Sequence, residues 1–528
     1  MTLLPPPEEN LRAAVVVPAR NEEALIGDCL DALANQQDVS HAEYEVILVL
    51  DGCTDATETR ARAIAETYPT LRLHAVDGPG EGAGHARRAG MEAACARLLG
   101  LGKPSGLIAS TDADTVVAPD WLATQLGYLA RGARAIGGRI ELIGEDRLPE
   151  AVSRWRREQG ARRHERLLDR DQGTPGGSIE HWQFSGASLA LTAAVYEEIG
   201  GLEPLAALED EYLERVLQQR GVPIERPLAV KVKTSARRTG RAERGLARDL
   251  ALASWFDSNT YRASDFHVEG VLKTKRRPIS LLLCGEEPSA EASGVFAALQ
   301  ESGVLDQVIR VRRTPEANGF PLSTEAYQAE ELMPDFGPIR GYGDLLWRGL
   351  SVVRGEVVVI LDLAHEDAVR DRICGLLGPL LQDDHLALIK GFKTPPDQLS
   401  ELIARPLINL QNPSLAGFVE PLSKDLAAHT PLLRALPFPV GPGVDISLLL
   451  DATKHVGTDS LAQVYFGEQR PPPQHETGET VYAVLAAARS RAARAGRMPV
   501  PGPLFSPTPD ELTIRHVPVE ERPPLESC

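Results

Sequence analysis

Short β-branched and leucine-rich runs recur along the first hundred residues, each followed by a helical pattern. This alternation restricts the possible fold more than any other feature of the sequence. The runs are Ala13 to Val17, Tyr44 to Leu50 (YEVILVL), Leu71 to Val76 and Leu107 to Ala109. The first, second and fourth are almost continuously apolar, which suits strands buried on both faces of a parallel sheet. After the first run, Leu25, Ile26, Cys29, Leu30 and Leu33 fall at helical spacing. After the second, Thr54 or Asp55 can cap a helix. The expected fold is α/β, a Rossmann-like, mostly parallel, doubly wound sheet. Ligands of such sheets sit beyond the carboxyl ends of the strands.

Those ends carry the polar chemistry. The first strand stops at Pro18-Ala19-Arg20-Asn21-Glu22-Glu23, the second at Asp51-Gly52-Cys53-Thr54-Asp55, and the fourth at Asp112-Ala113-Asp114. Two acids one residue apart at a strand exit can both turn toward a hard cation, and oxygen ligands of this kind suit Mg²⁺ or Mn²⁺. An Asp-x-Asp also recurs by chance as a helix cap, so its weight comes from the loops around it. A glycine-rich loop, Gly78 to Gly84, runs into a helix bearing Arg87 and Arg88. A helix start with arginine suits phosphate, and one arginine of the pair is expected to be a surface charge. Glu22 and Glu23 also fit ordinary charge bias at a helix start.

The bulk properties exclude several classes. A chain of 528 residues needs two or more domains. A net charge of −18 argues against a duplex nucleic-acid binder. Six cysteines without paired spacing suit a reducing cytoplasm. The first ten residues have no leader-like pattern, and no apolar run approaches the roughly 20 residues of a membrane span.

Val15 to Glu23, Leu50 to Asp55 and Asp112 to Asp114 together resemble the nucleotide-sugar half of a family-2 glycosyltransferase with the GT-A fold. The similarity runs over about residues 11 to 245 and continues through Gly137-Gly138-Arg139, Phe184 to Leu191 and Leu208 to Leu213. The resemblance implies that Asp114 holds the metal and that Asp112 helps it orient the sugar diphosphate. It implies that Asp51 receives the uracil imide or a ribose hydroxyl, and that Pro18, Ala19, Arg20 and Glu22 wall the base and ribose. Gly84 and Arg87 complete the donor set. Ser185 and Gly186 would line the acceptor pocket. Asp210, with Glu209 beside it, would be the general base. The loop Thr234 to Arg241 would fold over the diphosphate, with Arg237, Arg238 and Arg241 where many relatives place a metal-binding histidine. The arginine run 154–166 reads as a solvated helix face. No Gly-x-Gly-x-x-Gly follows the first strand, which disfavours a dinucleotide-dependent dehydrogenase.

Residues 266–278 (ending Lys273 to Pro278) read as a linker between a first domain, 11–265, and a second α/β domain, 279–498. The later part of the second domain resembles glucosyl-3-phosphoglycerate synthases through Gly341 to Arg348, Ala404 to Leu407, Glu420 to Ser423, Leu436 to Ile446 and Ala462 to Val464. Its chemistry departs from theirs: Asp362-Leu363-Ala364 replaces Asp-x-Asp, and Gly341-Tyr342-Gly343 replaces Gly-Lys-Gly. The expectation is a tandem of GT-A-like domains, the second a degenerate copy that scaffolds, forms a homodimer or binds a ligand. Asp445 and His365 are its residues that could still act. Residues 1–10 form an arm, and the tail 499–528, rich in Pro and Glu, is expected to be poorly ordered. The expected activity is metal-dependent, inverting sugar transfer from a UDP- or GDP-sugar to a small hydroxyl acceptor, such as 3-phosphoglycerate. The alternative is a non-catalytic regulator that binds nucleotide sugars.

Overall fold

The structure, a computed structural model, describes residues 4–170, 178–205, 209–237, 246–285, 287–312, 324–364, 367–468, 478–494, 504–507, 512–515 and 521–527. The chain divides into two compact units, Met1–Ser254 and Trp255–Cys528. The division precedes the stretch 266–278, within which Val268–Thr274 is helical.

Among its described residues the first unit carries ten strands: β1 (Ala13–Ala19), β2 (Tyr44–Leu50), β3 (Leu73–Asp77), β4 (Leu107–Ser110), β5 (Thr115–Val117), β6 (Ala135–Gly137), β7 (Arg139–Ile143), β8 (Leu189–Thr192), β9 (Ile224–Glu225) and β10 (Lys231–Ser235). Seven form one sheet in the order β3-β2-β1-β4-β8-β6-β9. β3, β2, β1 and β4 are parallel, as the apolar runs imply. β8 then runs antiparallel to both β4 and β6. β5, β10 and β7 make a small second sheet. Every residue of β1 and β2 is buried. Alternate side chains feed separate cores: Val15 and Val17 join one cluster, Val16 and Val49 another. This is the period of two that a strand covered on both faces requires.

The second unit carries β11 (Thr260–Arg262), β12 (Ile279–Cys284), β13 (Gln307–Arg312), β14 (Thr324–Gln328), β15 (Val357–Ile360), β16 (Leu388–Thr394), β17 (Leu426–His429), β18 (Phe438–Pro439) and β19 (Leu461–Glu468). Its main sheet is ordered β14-β13-β12-β15-β17-β16-β19-β11. Apart from β11 this repeats the order of the first unit, again with one antiparallel strand, β17, after the fourth parallel strand. The expectation of tandem, mostly parallel α/β units therefore holds. In the tail, β20 (Leu504–Pro507) pairs with β21 (Leu512–Arg515), and β22 (Glu521–Arg522) pairs with β18.

The repeat extends to single residues. In the first unit the helix Ala83–Gly100 lies on the sheet through Gly90, where a Cβ would press on Val16 and stand 2.9 Å from Val49 Cγ2. In the second, the helix Tyr342–Leu350 does the same through Gly349, where a Cβ would stand 2.7 Å from Leu282 Cδ1. Six residues earlier, Gly84 and Gly343 would each press a Cβ on a backbone carbonyl, that of Leu205 and of Pro439 respectively.

Two stability predictions follow from this packing. Gly90→Val adds volume where helix and sheet already touch, and is expected to destabilise the first unit by about 1–3 kcal/mol, read from urea unfolding. His181 is buried and accepts a hydrogen bond from the Gln183 amide at Nδ1 (3.1 Å). Burial, reinforced by the charges of Arg226 and Arg139, pushes its pKa down to about 4. The unfolded chain therefore takes this proton first, and stability falls as pH drops from about 6.5 to 4, by on the order of 2–3 kcal/mol. His181→Gln is expected to flatten the unfolding free energy across that window. A wild-type slope in this variant would remove His181 as the cause.

Candidate active site

The carboxyl ends of β1, β2 and β4 are built by local capping. Asn21, just past β1, has φ +52° and accepts from the Thr54 amide at 2.6 Å. Glu23 accepts from the Ala56 amide at 2.9 Å, and the Glu22 amide donates to Thr57 Oγ1 at 2.6 Å. The loops after β1 and β2 thus hold one another. Glu23 takes the capping role that helix-start charge bias suggests, and the Glu22 carboxylate is left for other work.

Asp51 is buried at the end of β2. Its two carboxylate oxygens accept from the Gly80 amide (2.6 Å) and the Gly82 amide (2.9 Å). It thereby shapes the glycine-rich loop. Arg20 NH1 stands 3.8 Å away on the exposed side. Pro18 and Ala19 are the last residues of β1, and the Ala19 carbonyl accepts from the Asp51 amide at 2.8 Å.

Arg87 lies one turn into the helix behind that loop and is buried. Its Nε donates to Glu209 Oε1 (3.1 Å) and its NH2 to Asp112 Oδ1 (2.7 Å). Its NH1 donates to Ser110 Oγ (2.5 Å) and to the Gly186 carbonyl (3.0 Å). Burial disfavours the cation, but Asp112 and Glu209 overturn that effect and hold the guanidinium charged. Gly186 leaves the room, since a Cβ there would stand 2.8 Å from Arg87 Cζ. Arg88, one position on, points outward to Glu92 and the Leu202 carbonyl. The sequence left this pair undivided; helix register divides it.

Asp210 is the partly exposed acid beside buried Glu209. Its Oδ2 accepts from the Gly186 amide (2.9 Å) and its Oδ1 from the Glu211 amide (2.8 Å). Gly186 therefore touches Asp210 through its amide and Arg87 through its carbonyl. Ser185 forms an isolated bridge with Ser188, closing the turn that presents Gly186. Arg237, after β10, forks onto both oxygens of Glu22 (2.8 Å each), and its NH2 stands 3.0 Å from Asp114 Oδ2. Arg241 and Arg238 lie outside the described residues.

The structure adds groups for which the sequence reading had no role. Ser110, the last residue of β4, anchors Arg87. Thr234 bonds Thr115 at 2.9 Å and Asp114 Oδ1 at 3.4 Å. Ser110 closes the apolar run of β4, whereas Thr234 follows Lys233 and carries no such signal. Cys29 is buried beneath the acids, its Sγ donating to the Asp112 carbonyl at 3.4 Å. Burial, then the charges of Asp114 and Asp112, push this thiol's pKa well up.

The donor set fits a divalent cation. Burial, then the charge of Asp112, push Asp114 up to about 6, against the opposing pull of Arg237. The two carboxylates are thus crowded enough to gain from a cation. Among the described residues no cluster of three or more His, Cys, Asp or Glu is placed to hold a metal. A site of two carboxylates leaves the other positions to water and phosphate oxygens, as Mg²⁺ commonly does.

A sequence profile described as glycosyl transferase family 2 matches residues 14–185, the stretch that carries Glu22, Asp51, Arg87, Asp112 and Asp114. The chain is similar to the glucosyl-3-phosphoglycerate synthase of Mycolicibacterium smegmatis, with 32% identity over 258 residues, spanning 45% of this chain and 85% of that protein. It is similar to the synthase of the same name from Mycobacterium tuberculosis H37Rv, with 31% identity over 242 residues, 41% of this chain and 74% of the other. Among solved structures, mannosyl-3-phosphoglycerate synthase from Rubrobacter xylanophilus is 30% identical, covers 52% of this chain and 98% of its own, and superposes with a TM-score of 0.47. At this identity and coverage the chain belongs to the glycosyl transferase family 2 enzymes and is a glycosyltransferase related to the glucosyl-3-phosphoglycerate synthases.

Proposed function

We propose that the first unit moves a sugar from a nucleoside-diphosphate donor, a UDP-sugar or GDP-sugar, to a hydroxyl of a small acidic acceptor of the 3-phosphoglycerate type, in the cytoplasm and with inversion. One observation carries this reading. Arg87 joins the acid that faces the donor, Asp112, to Glu209 and to the Gly186 carbonyl, while the Gly186 amide holds Asp210. Donor side and acceptor side are thus one hydrogen-bonded unit. The names of the relatives support a phosphoglycerate-like acceptor, and the partly exposed Arg139 and Arg237 give an anion something to meet.

Asp112 and Asp114 would hold Mg²⁺ or Mn²⁺, whose chemistry there is to offset the charge of a departing diphosphate. The chain's own groups do the rest. Two backbone amides fix the Asp210 carboxylate, and each of its oxygens keeps a lone pair. It accepts the acceptor's hydroxyl proton as that oxygen bonds to the anomeric carbon and the bond from that carbon to the diphosphate breaks. Arg237 stands over Glu22 and Asp114, where it can donate to diphosphate oxygens. The Asp51-shaped glycine loop presents backbone amides at the start of the helix bearing Arg87.

The test is turnover of UDP-glucose and GDP-mannose with 3-phosphoglycerate in Mg²⁺ or Mn²⁺. Asp114→Ala is expected to lower kcat by at least about 10²-fold, the scale on which loss of transition-state charge stabilisation is felt. Near-normal kcat in that variant removes the metal assignment. Asp210→Asn keeps the shape and loses the proton acceptor, so kcat is expected to fall by about 10²–10⁴-fold while donor affinity, read by calorimetry, stays within a few-fold. If donor affinity and kcat fall together, Asp210 positions the site and is not its base.

A further inference from the structure

The second unit holds charge where its own sheet ends, and the arrangement differs from that of the first unit. Position 346, three residues after Gly343 and three before Gly349, corresponds to Arg87 between Gly84 and Gly90, and it is Leu346. The central cation is instead on a strand. Gly137 in β6 pairs with Leu189 of β8, which also faces Ser110 of β4. Lys390 in β16 pairs with Leu426 of β17, which also faces Ile360 of β15. Lys390 therefore stands where the first unit has Gly137. Likewise a Cβ at Gly84 would meet Glu209, and one at Gly343 would meet Val444, so Asp445 follows Val444 as Asp210 follows Glu209.

Around Lys390 are charged groups from five segments. Lys390 is 2% exposed, and among the described residues its Nζ reaches only the Asp445 carbonyl, at 3.5 Å. Neither Lys390 nor Lys393 has a carboxylate within 4.0 Å among the described residues. Asp445 is buried at 5% exposure. Toward solvent, Lys424 Nζ lies 3.6 Å from Asp362 and 5.3 Å from the centre of the Tyr342 ring. The Lys393 amide donates to Glu420 Oε2 at 3.0 Å. Arg372 is spent on Asp425, whose Oδ1 also accepts from the Asp362 amide at 2.7 Å. The set runs from a buried floor, Lys390 and Asp445, to a rim whose Lys424 side chain is 42% exposed.

A buried ammonium with one long hydrogen bond costs several kcal/mol relative to an apolar side chain of its volume. Nothing in the sheet needs that cost, because the first unit closes the same register with glycine. The spare donors of Lys390 point to an absent acceptor, and the carboxylates beside it point to hydroxyls. Burial pushes Lys390 down and Asp445 up to about 6, so both sit in surroundings that a ligand's counter-groups would relieve.

We infer that the second unit holds a binding site, independent of any divalent metal, for a small phosphorylated polyol of the sugar-phosphate class. The phosphate meets Lys390, Lys393 and Lys424, and the hydroxyls meet Asp445, Asp362 and Glu420. Ala364 in place of a second carboxylate removes the metal pair, and the three lysines supply the positive charge that a metal would otherwise bring. This inference does not rest on the function proposed for the first unit.

The experiment is titration calorimetry on the full chain in EDTA with glucose 6-phosphate, ribose 5-phosphate, glucose, inorganic phosphate and UDP. At least one sugar phosphate is expected to bind, at least about tenfold more tightly than glucose or inorganic phosphate. Lys390→Met is expected to weaken it by about 10- to 100-fold, the scale of one lost charge-assisted hydrogen bond. Lys424→Ala, at the exposed rim where folding is not at stake, is expected to weaken it about five-fold or more, and Asp114→Ala in the first unit to leave it unchanged. Four results would each overturn the site: no heat with either sugar phosphate, inorganic phosphate binding or UDP displacing the sugar phosphate as tightly as the sugar phosphate itself binds, affinity unchanged by Lys424→Ala, or affinity lost in Asp114→Ala.

Discussion

The first unit depends on one side chain, Arg87. Its guanidinium has five N–H donors in a fixed plane, and it uses them on two carboxylates, a hydroxyl and a carbonyl contributed by three separate segments. Those segments are the exit of β4, the turn at Gly186 and the helix Glu209–Gln219, and Arg87 ties them to its own helix. A lysine could not reach all four groups, because it offers a point charge rather than a fork. The arrangement also explains Gly186, since the room for the guanidinium is the room a side chain would fill. Removing one partner from such a buried set leaves an uncompensated charge, worth about 3–5 kcal/mol. The site's shape and the unit's stability therefore rest on the same atoms.

The strands were legible because a parallel sheet covered on both faces writes apolar runs into the sequence. β1, β2 and β4 begin at the expected residues, and the acids at their ends follow from Rossmann-like topology. The first run ends two residues later than expected, at Ala19, because Pro18 and Ala19 keep pairing with β2. The antiparallel strand β8 was not legible as a strand. Leu189–Thr192 is four residues long, and its direction is set by its partners. The small sheet of β5, β10 and β7 was not foreseen: the stretch before Thr234 reads as strand-like, but Lys231–Ser235 holds little apolar signal to name its partners. The stretch 266–278 looked like a linker from its basic residues, but Val271 is buried against the second unit's core and the segment is helical.

Roles were less legible than places. Asp51, Arg87, Asp112 and Asp114 could be picked out by type and spacing, and Glu209 and Asp210 by the family resemblance, yet neither says whether a carboxylate faces a ligand or the backbone. Asp51 spends an oxygen on each of two loop amides, and Glu209 spends itself on Arg87, whereas Asp210, one residue on and about 100° around the helix, keeps a partly exposed face. Adjacent residues of one helix cannot share a direction, so each adjacent pair in the site resolves into one structural and one accessible member. Arg87 with Arg88, and Glu209 with Asp210, both follow that rule.

The two units show how one sheet order can be charged in two ways. In the first, the central cation comes from a helix, and Arg87 binds Asp112 of the paired acids at the strand exit. Arg237 stands beside Asp114 and Arg87 beside Asp112, so both acids are partly neutralised within the chain. In the second, the cation comes from the strand at Lys390, Ala364 removes one of the paired acids, and lysines at the rim take the place of further counter-charge. The determinant is where the positive charge is anchored. A cation on the helix reaches across to the strand-exit acid Asp112, whereas a cation on the strand, Lys390, lies buried in the floor beneath that edge.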